Sequence, residues 1–221
     1  ALPDIPAAVP FFEDESVFAV TGKVYQWDRT TVQAGRRMPV YNKGWFWYLS
    51  ADTDAPGITL HALGGQSIFD KQKFLELGGI DPLFSPFYHE DLDLSWRALR
   101  NGWKIIYNPV AEMIHRGAAT AGKMFTRQQI RAIMQKNIFL FIWKNLHDPG
   151  MTASHIAWLL PRLVRETARG DFTFASGFAG ACRQVSEALG ARERARGGKL
   201  SDREVIRLFE QLSLSRGAGR S

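Results

Sequence analysis

The chain has 221 residues, 45% apolar and 23% charged, a globular composition that excludes low complexity and fits one long domain or two short ones. Its single cysteine, Cys182, excludes a disulfide scaffold and suits a reducing compartment, and its longest aliphatic and aromatic run, Ile138 to Trp143, is far short of the ~18 residues of a membrane-spanning helix. The net charge of +6 is uneven, with 11 basic and 14 acidic side chains in residues 1–120 against 17 and 8 beyond them. A basic C-terminal part suits an anionic surface such as lipid headgroups, nucleic acid or a phosphorylated ligand, or else plain solvated helix faces.

The start, Ala1-Leu2-Pro3-Asp4, has neither initiator Met nor signal peptide, so the chain reads as a piece of a longer protein or a processed form. Val17 to Tyr25 is rich in β-branched and aromatic residues and predicts a strand. Gly35 to Gly57 reads as turn-rich, with Trp45, Phe46, Trp47 and Tyr48 as a buried plug or a stacking surface. Asp70 to Leu77 predicts a helix capped by Asp70 and stopped by Gly78-Gly79. A second helix carries Leu92, Leu94, Trp96 and Leu99 and stops at Asn101-Gly102. Trp103 to Tyr107 predicts a strand broken at Asn108-Pro109, and Ala111 to His115 a last short one, closed by Arg116-Gly117.

After Gly122 the pattern is helical. Thr126-x-x-Gln129 and Ser201-x-x-Glu204 are capping boxes. His147 to Gly150 predicts a hard stop, followed by a helix over about 152–169 with Pro161 as a kink. A third helix carries Phe174 to Leu189, Gly190 to Gly198 looks exposed, and 216–221 predicts a disordered tail. The expected organisation is an α/β part over 1–122, a helical region over 123–215 and the tail.

The titratable residues are ambiguous one by one. Glu90 and Asp91 open a helix, where the macrodipole and capping preferences favour acids for structural reasons. The same position predicts a lowered pKa and an ionised carboxylate able to take a proton from an attacking alcohol. His115, at a strand end, is either a hydrogen-bonded structural residue or a group at the ligand crevice of an α/β fold.

In order, however, the residues form a pattern: Leu63-Gly64-Gly65, Phe69-Asp70-Lys71, Leu77-Gly78-Gly79-Ile80-Asp81, Tyr88-His89-Glu90-Asp91-Leu92-Asp93-Leu94, Gly102-Trp103 and His115. This resembles the C-terminal, acceptor-side half of a family 2 glycosyltransferase of the GT-A fold, the group with bacterial rhamnosyl- and galactofuranosyltransferases. Ile80 stands where the family has Phe. The resemblance covers roughly residues 15–145. It implies a mixed α/β sheet with flanking helices, followed by an all-α region.

It also implies roles. Asp91 matches the general base, and Glu90 its acidic neighbour in acceptor binding or positioning. Gly64 and Gly65, with His89, match the acceptor wall. His115 matches the histidine that completes a divalent-metal site, Mg or Mn. The reaction implied is transfer from a nucleotide-sugar donor to a saccharide or lipid-linked acceptor, in bacterial cell-surface polysaccharide synthesis. The family's Asp-x-Asp metal pair precedes the strand matched by 17–25. Here Asp52-Thr53-Asp54 and Asp91-Leu92-Asp93 both follow it, so the metal site is expected to be incomplete and most of the donor site missing.

Two alternatives remain. One is a non-catalytic binding or assembly module that keeps the half-fold. The other is nucleic-acid binding, which no zinc spacing, helix-turn-helix signature or aromatic RNA motif supports. The basic helices with Trp143, Trp158, Phe172, Phe174 and Phe178 also suggest a peripheral seat on the inner, cytoplasmic face of a membrane.

Overall fold

The computed structural model describes residues 5–51, 53–115 and 121–217. Two short opening turns, the helical α1 (Ile5–Ala8) and a 3-10 turn over Val9–Glu13, lead into β1 (Val17–Tyr25). That strand has the predicted limits and is buried along almost its whole length, as β-branched and aromatic side chains on both faces require.

On one edge of β1 lies β7 (Lys104–Ile114), parallel to it; on the other lie β2 (Val32–Ala34) and β6 (Ser67–Phe69), both antiparallel. The short β5 (Gly57–Ile58) pairs antiparallel with β7. The mixed sheet and flanking helices are those expected.

The predicted break at Asn108-Pro109 takes a different form. β7 is one strand, but its register jumps: Gly22 faces Asn108, and the next residue, Lys23, faces Glu112. A strand tolerates Pro where the ladder is already interrupted, so Pro109 deforms the pairing without ending it. The displaced segment crosses directly over Gly22, where an added Cβ would lie 1.6 Å from the Ala111 carbonyl oxygen. Gly22→Ala is therefore expected to destabilise the protein by at least the upper part of the roughly 1–3 kcal/mol typical of overpacking, read as a lowered urea midpoint.

The segment read as turn-rich is a β-hairpin, β3 (Arg36–Asn42) and β4 (Trp45–Ala51), joined by a two-residue turn at Lys43-Gly44 with both φ values positive. The aromatic run is mostly a plug. Trp45 packs on Phe139 and Phe174, and Phe46 on Trp96 and Phe141, with ring centroids 4.9–5.3 Å apart.

The first two predicted helices stand as α2 (Lys71–Glu76) and α3 (Glu90–Arg100). Asp70 caps α2 by accepting from Lys73 N–H, and Gly78 and Gly79 take left-handed φ of 75° and 69° after it.

Past the short α4 (Ala121–Met124), α5 (Arg127–Asn145) starts in the predicted capping box and runs through the molecule's centre. Ile138 to Ile142 are all buried there, which is why this stretch is apolar all round. α5 ends at Asn145, just before the expected stop at His147 to Gly150, and the same stretch starts the next helix earlier than expected: Asp148 caps α6 (Pro149–Ala168) and Pro149 is its first residue. Pro161 lies inside α6.

The predicted third helix is two, α7 (Thr173–Cys182) and α8 (Val185–Arg194), interrupted at Arg183-Gln184. α8 reaches into the stretch expected to be exposed, because Arg192 is half-buried and donates from Nη1 to the carbonyls of Trp143 and Leu146 at 2.8 and 2.7 Å. The last helix, α9 (Asp202–Gly217), follows the second capping box and includes the start of the predicted tail; residues 218–221 lie outside those described.

One apolar core joins Phe18 and Ile105 of the sheet, Phe46 of the hairpin, Trp96 of α3, Phe139 of α5 and Val205 of α9. A buried polar knot ties α3 to α5. Lys144 Nζ lies 2.7 Å from both Asp93 and Asp81, Asp93 also pairs with Arg97 at 2.8 Å, and Asn145 Nδ2 donates to it at 2.8 Å.

Candidate active site

A cleft of about 300 Å³ opens between the hairpin, the segment after β5 and the first turn of α3. The six residues singled out in the sequence, Gly64, Gly65, His89, Glu90, Asp91 and His115, all line it. They come from three separate parts of the chain. A wider groove of about 480 Å³ runs beside Tyr41, Met151 and Arg203, but Arg203 there is engaged by Asp148 at 2.6 Å.

The acids are aimed by an unusual approach to α3. Tyr88 and His89 both have left-handed φ, 70° and 72°, which non-glycine residues rarely adopt and which persists only where neighbours impose it. The neighbour is Asn137 of α5, fully buried, whose Nδ2 lies 2.7–2.9 Å from the carbonyl oxygens of Phe84, Phe87 and Tyr88. Immediately after this clamp, Glu90 and Asp91 form the first turn of α3.

Asp91 is partly buried, and its Oδ1 accepts from the Leu92 N–H at 2.8 Å. The expectation of a lowered pKa at this helix start does not hold. Burial raises the Asp91 pKa; the Leu92 N–H, the charge of Arg37 and the Gly64 N–H pull it only part of the way back. Desolvation in a narrow cleft outweighs the end of one helix. Glu90 is raised too, by burial first and also by the neighbouring Asp91 charge, and its Oε2 is buried without a partner among the described residues. His89 is pushed down to about 4 by burial, so its imidazole is neutral, and its Nδ1 also has no partner among the described residues.

Gly64 lies against Asp91: an added Cβ would meet the Asp91 Cβ at 3.9 Å, an ordinary contact, and at Gly65 it would meet nothing within 4 Å. The protein itself leaves free space at both positions. His115 is exposed at the end of β7, where its N–H bonds the Tyr25 carbonyl at 2.9 Å. Arg116 and Gly117 lie outside the described residues.

Asp93, the second half of the Asp-x-Asp at 91–93, faces away into the Lys144 knot and is fully buried. Asp54 pairs with Lys23 at 2.8 Å, and Asp52 lies outside the described residues. Among the described residues no group of three or more His, Cys, Asp and Glu could hold a metal ion. His115 is a single ligand there, and one imidazole does not make a metal site.

Three further residues of the cleft were not marked by the sequence: Arg37 and Tyr48 of the hairpin, and His61 after β5. Arg37 was hidden in a segment read as loop. Only the aromatic run hinted at Tyr48, as the stacking alternative to a plug.

No protein-family model and no curated protein matches the chain. Among solved structures it is similar to the crystal structure of GalNAc-T7 with UDP, GalNAc and Mn2+, at 15% identity and a TM-score of 0.52. The match covers 92% of this chain but 37% of that one. The likeness shows the fold: it is GT-A-like.

Proposed function

We propose that this chain is the acceptor-side part of an inverting glycosyltransferase, which moves a sugar from a nucleotide-sugar donor to a hydroxyl of a saccharide or lipid-linked acceptor. The observation that carries the reading is the convergence of Asp91, Glu90, His89, Gly64, Gly65 and His115 on one cleft. Independent support is the GT-A-like fold, seen in a structure that contains UDP, GalNAc and Mn2+.

Asp91 acts as the base. It takes the proton of the acceptor O–H as that oxygen forms a bond to the anomeric carbon. The bond from that carbon to the donor's phosphate oxygen breaks in the same displacement, and the nucleotide diphosphate leaves with the electron pair. A single displacement inverts the anomeric centre. A carboxyl whose pKa is raised toward the working pH is a stronger base once ionised. Glu90, beside it, positions the acceptor. The divalent metal implied by the resemblance would need ligands besides His115.

The test is glycosyl transfer by the longer protein, with a panel of nucleotide sugars and saccharide or lipid-linked acceptors. Transfer with an inverted product is expected. Donor binding without transfer to any acceptor would favour the non-catalytic module.

The acceptor reading extends to a membrane seat. No helix among the described residues is long and apolar enough to cross a membrane. One face of α6, however, leaves Ile156, Leu160 and Val164 exposed at 67%, 66% and 59%, spaced four residues apart and so in line. Arg165 and Arg169 are exposed next to this stripe, where they share Glu166 at 2.5 and 4.0 Å and leave a net positive charge, and Lys43 lies over the Trp158 ring at 5.2 Å. Such a face complements an anionic lipid surface, where each basic residue contributes ~1 kcal/mol. Co-sedimentation with anionic vesicles at low salt is expected, with loss in high salt and in Leu160→Glu. A concentration-dependent dimer that ignores vesicles would instead assign the face to a second copy.

A further inference from the structure

Arg37 is the cationic side chain of the cleft wall. Its guanidinium lies over the Tyr48 ring, 4.7 Å from the centroid, and its Nη1 hydrogen-bonds Nε2 of His61. His61 is 3% exposed, and burial first, then the charge of Arg37, keeps its pKa far below the usual histidine value. The imidazole is therefore neutral. Its Nε2 accepts from Arg37, which puts the proton on Nδ1.

Two buried donors of this assembly have no partner among the described residues: His61 Nδ1–H and Arg37 Nε–H. An unmade hydrogen bond on a buried group is costly, and these two donors belong to residues of the cleft wall, where a ligand's acceptor can come near. Both orphans are donors, and Arg37 forms no ion pair among the described residues. The missing group is thus an acceptor and preferably an anion. A guanidinium already held by a ring and an imidazole loses little freedom on binding one, and its fork matches a carboxylate or phosphate.

We propose that Arg37, held in place by His61 and Tyr48, binds an oxyanion carried by the acceptor sugar, either a carboxylate or a phosphate. This rests on the reading of Asp91 as the base. The acceptor hydroxyl must come within hydrogen-bond reach of Asp91. Arg37 and Asp91 line the same cleft, so a sugar whose hydroxyl reaches Asp91 would present its other substituents to the wall that holds Arg37. Arg37 is then a specificity determinant, and His61 is a positioning residue that acts through it.

The experiment is calorimetric titration of the chain with four probes: methyl glucuronide, glucose 6-phosphate, methyl glucoside and inorganic pyrophosphate. At least one of the two anionic sugars is expected to bind about tenfold or more tightly than the neutral glycoside, the scale of one charge-assisted hydrogen bond. Which of the two binds separates a carboxylate from a phosphate. Arg37→Gln should abolish the difference while the protein stays folded by circular dichroism, with the urea midpoint lowered because His61 Nε2 loses its donor. Asp91→Asn should keep or tighten anion binding, since it removes a nearby negative charge. Equal binding of charged and neutral sugars, no binding of either anionic sugar, or a difference that survives Arg37→Gln would each overturn the proposal. Binding of pyrophosphate alone would place Arg37 on the donor side and overturn the acceptor assignment. If anion binding follows Arg37 but Asp91→Asn leaves turnover intact, the base assignment fails by itself.

Discussion

If the proposed glycosyl transfer holds, Asp91→Asn in the longer protein is expected to lower turnover by ~10²–10⁴, the usual contribution of a positioned base, while leaving the fold intact. The amide keeps the size of the carboxyl, and its oxygen can still accept from the Leu92 N–H, so the first turn of α3 survives. What it loses is the ability to take a proton. The pH dependence has a definite sign. The base works only when ionised, so activity is lost as pH falls through the Asp91 pKa. Burial raises that pKa, so the acid limb of the rate profile should lie above the ordinary carboxylate range. Arg37→Gln should move the limb further up, because the Arg37 charge now holds it down. A variant with near-normal turnover, or an acid limb at the ordinary position, would remove Asp91 from this role.

Two residues further on, Asp93→Ala is expected to be a stability variant. Removing Asp93 leaves Lys144, 3% exposed, with Asp81 alone, and strips Arg97 and Asn145 of a shared acceptor. Breaking a buried ion pair from one side costs about 3–5 kcal/mol, because the surviving charge stays buried without compensation. The remaining Asp81 contact places this case toward the lower end. The midpoint of urea unfolding measures it. Replacing both partners, as in Asp93→Leu with Lys144→Met, should recover part of the loss, since Lys144 is then not stranded and Arg97 keeps the Leu77 and Gly79 carbonyls. A single variant as stable as the original protein would show that the knot contributes nothing. The two aspartates of one short motif thus separate by readout, Asp91 in turnover and Asp93 in unfolding.

Much of the local structure was legible in the sequence because it is set by neighbouring residues. The strand at 17–25, the cap at Asp70, the glycine pair after α2 and both capping boxes depend on contacts within about four positions. Structure departs from local sequence signals where distant packing decides. The hairpin at 36–51 was read as turns because its aromatic run lacks simple alternation, and only α3, α5 and α7 give those rings somewhere to go. β7 continues past Pro109 because β1 offers a glycine at the crossing point. Arg192 is half-buried only because the carbonyls ending α5 need donors.

The candidate site divides in the same way. The sequence by itself picked out residues that share the cleft, since an acidic pair opening a helix, a Gly-Gly and a histidine closing a strand are all visible in one dimension. Tertiary structure decided their environment. Burial in the cleft turned the expected fall in the Asp91 pKa into a rise, because desolvation depends on what surrounds a carboxyl and not on its place in a helix. It also separated Asp91 from Asp93, which the pattern could not distinguish, by turning one toward the cleft and the other toward Lys144. And it brought Arg37, Tyr48 and His61, up to 24 positions apart, onto one wall, an arrangement that exists only once the hairpin has folded back against the segment after β5.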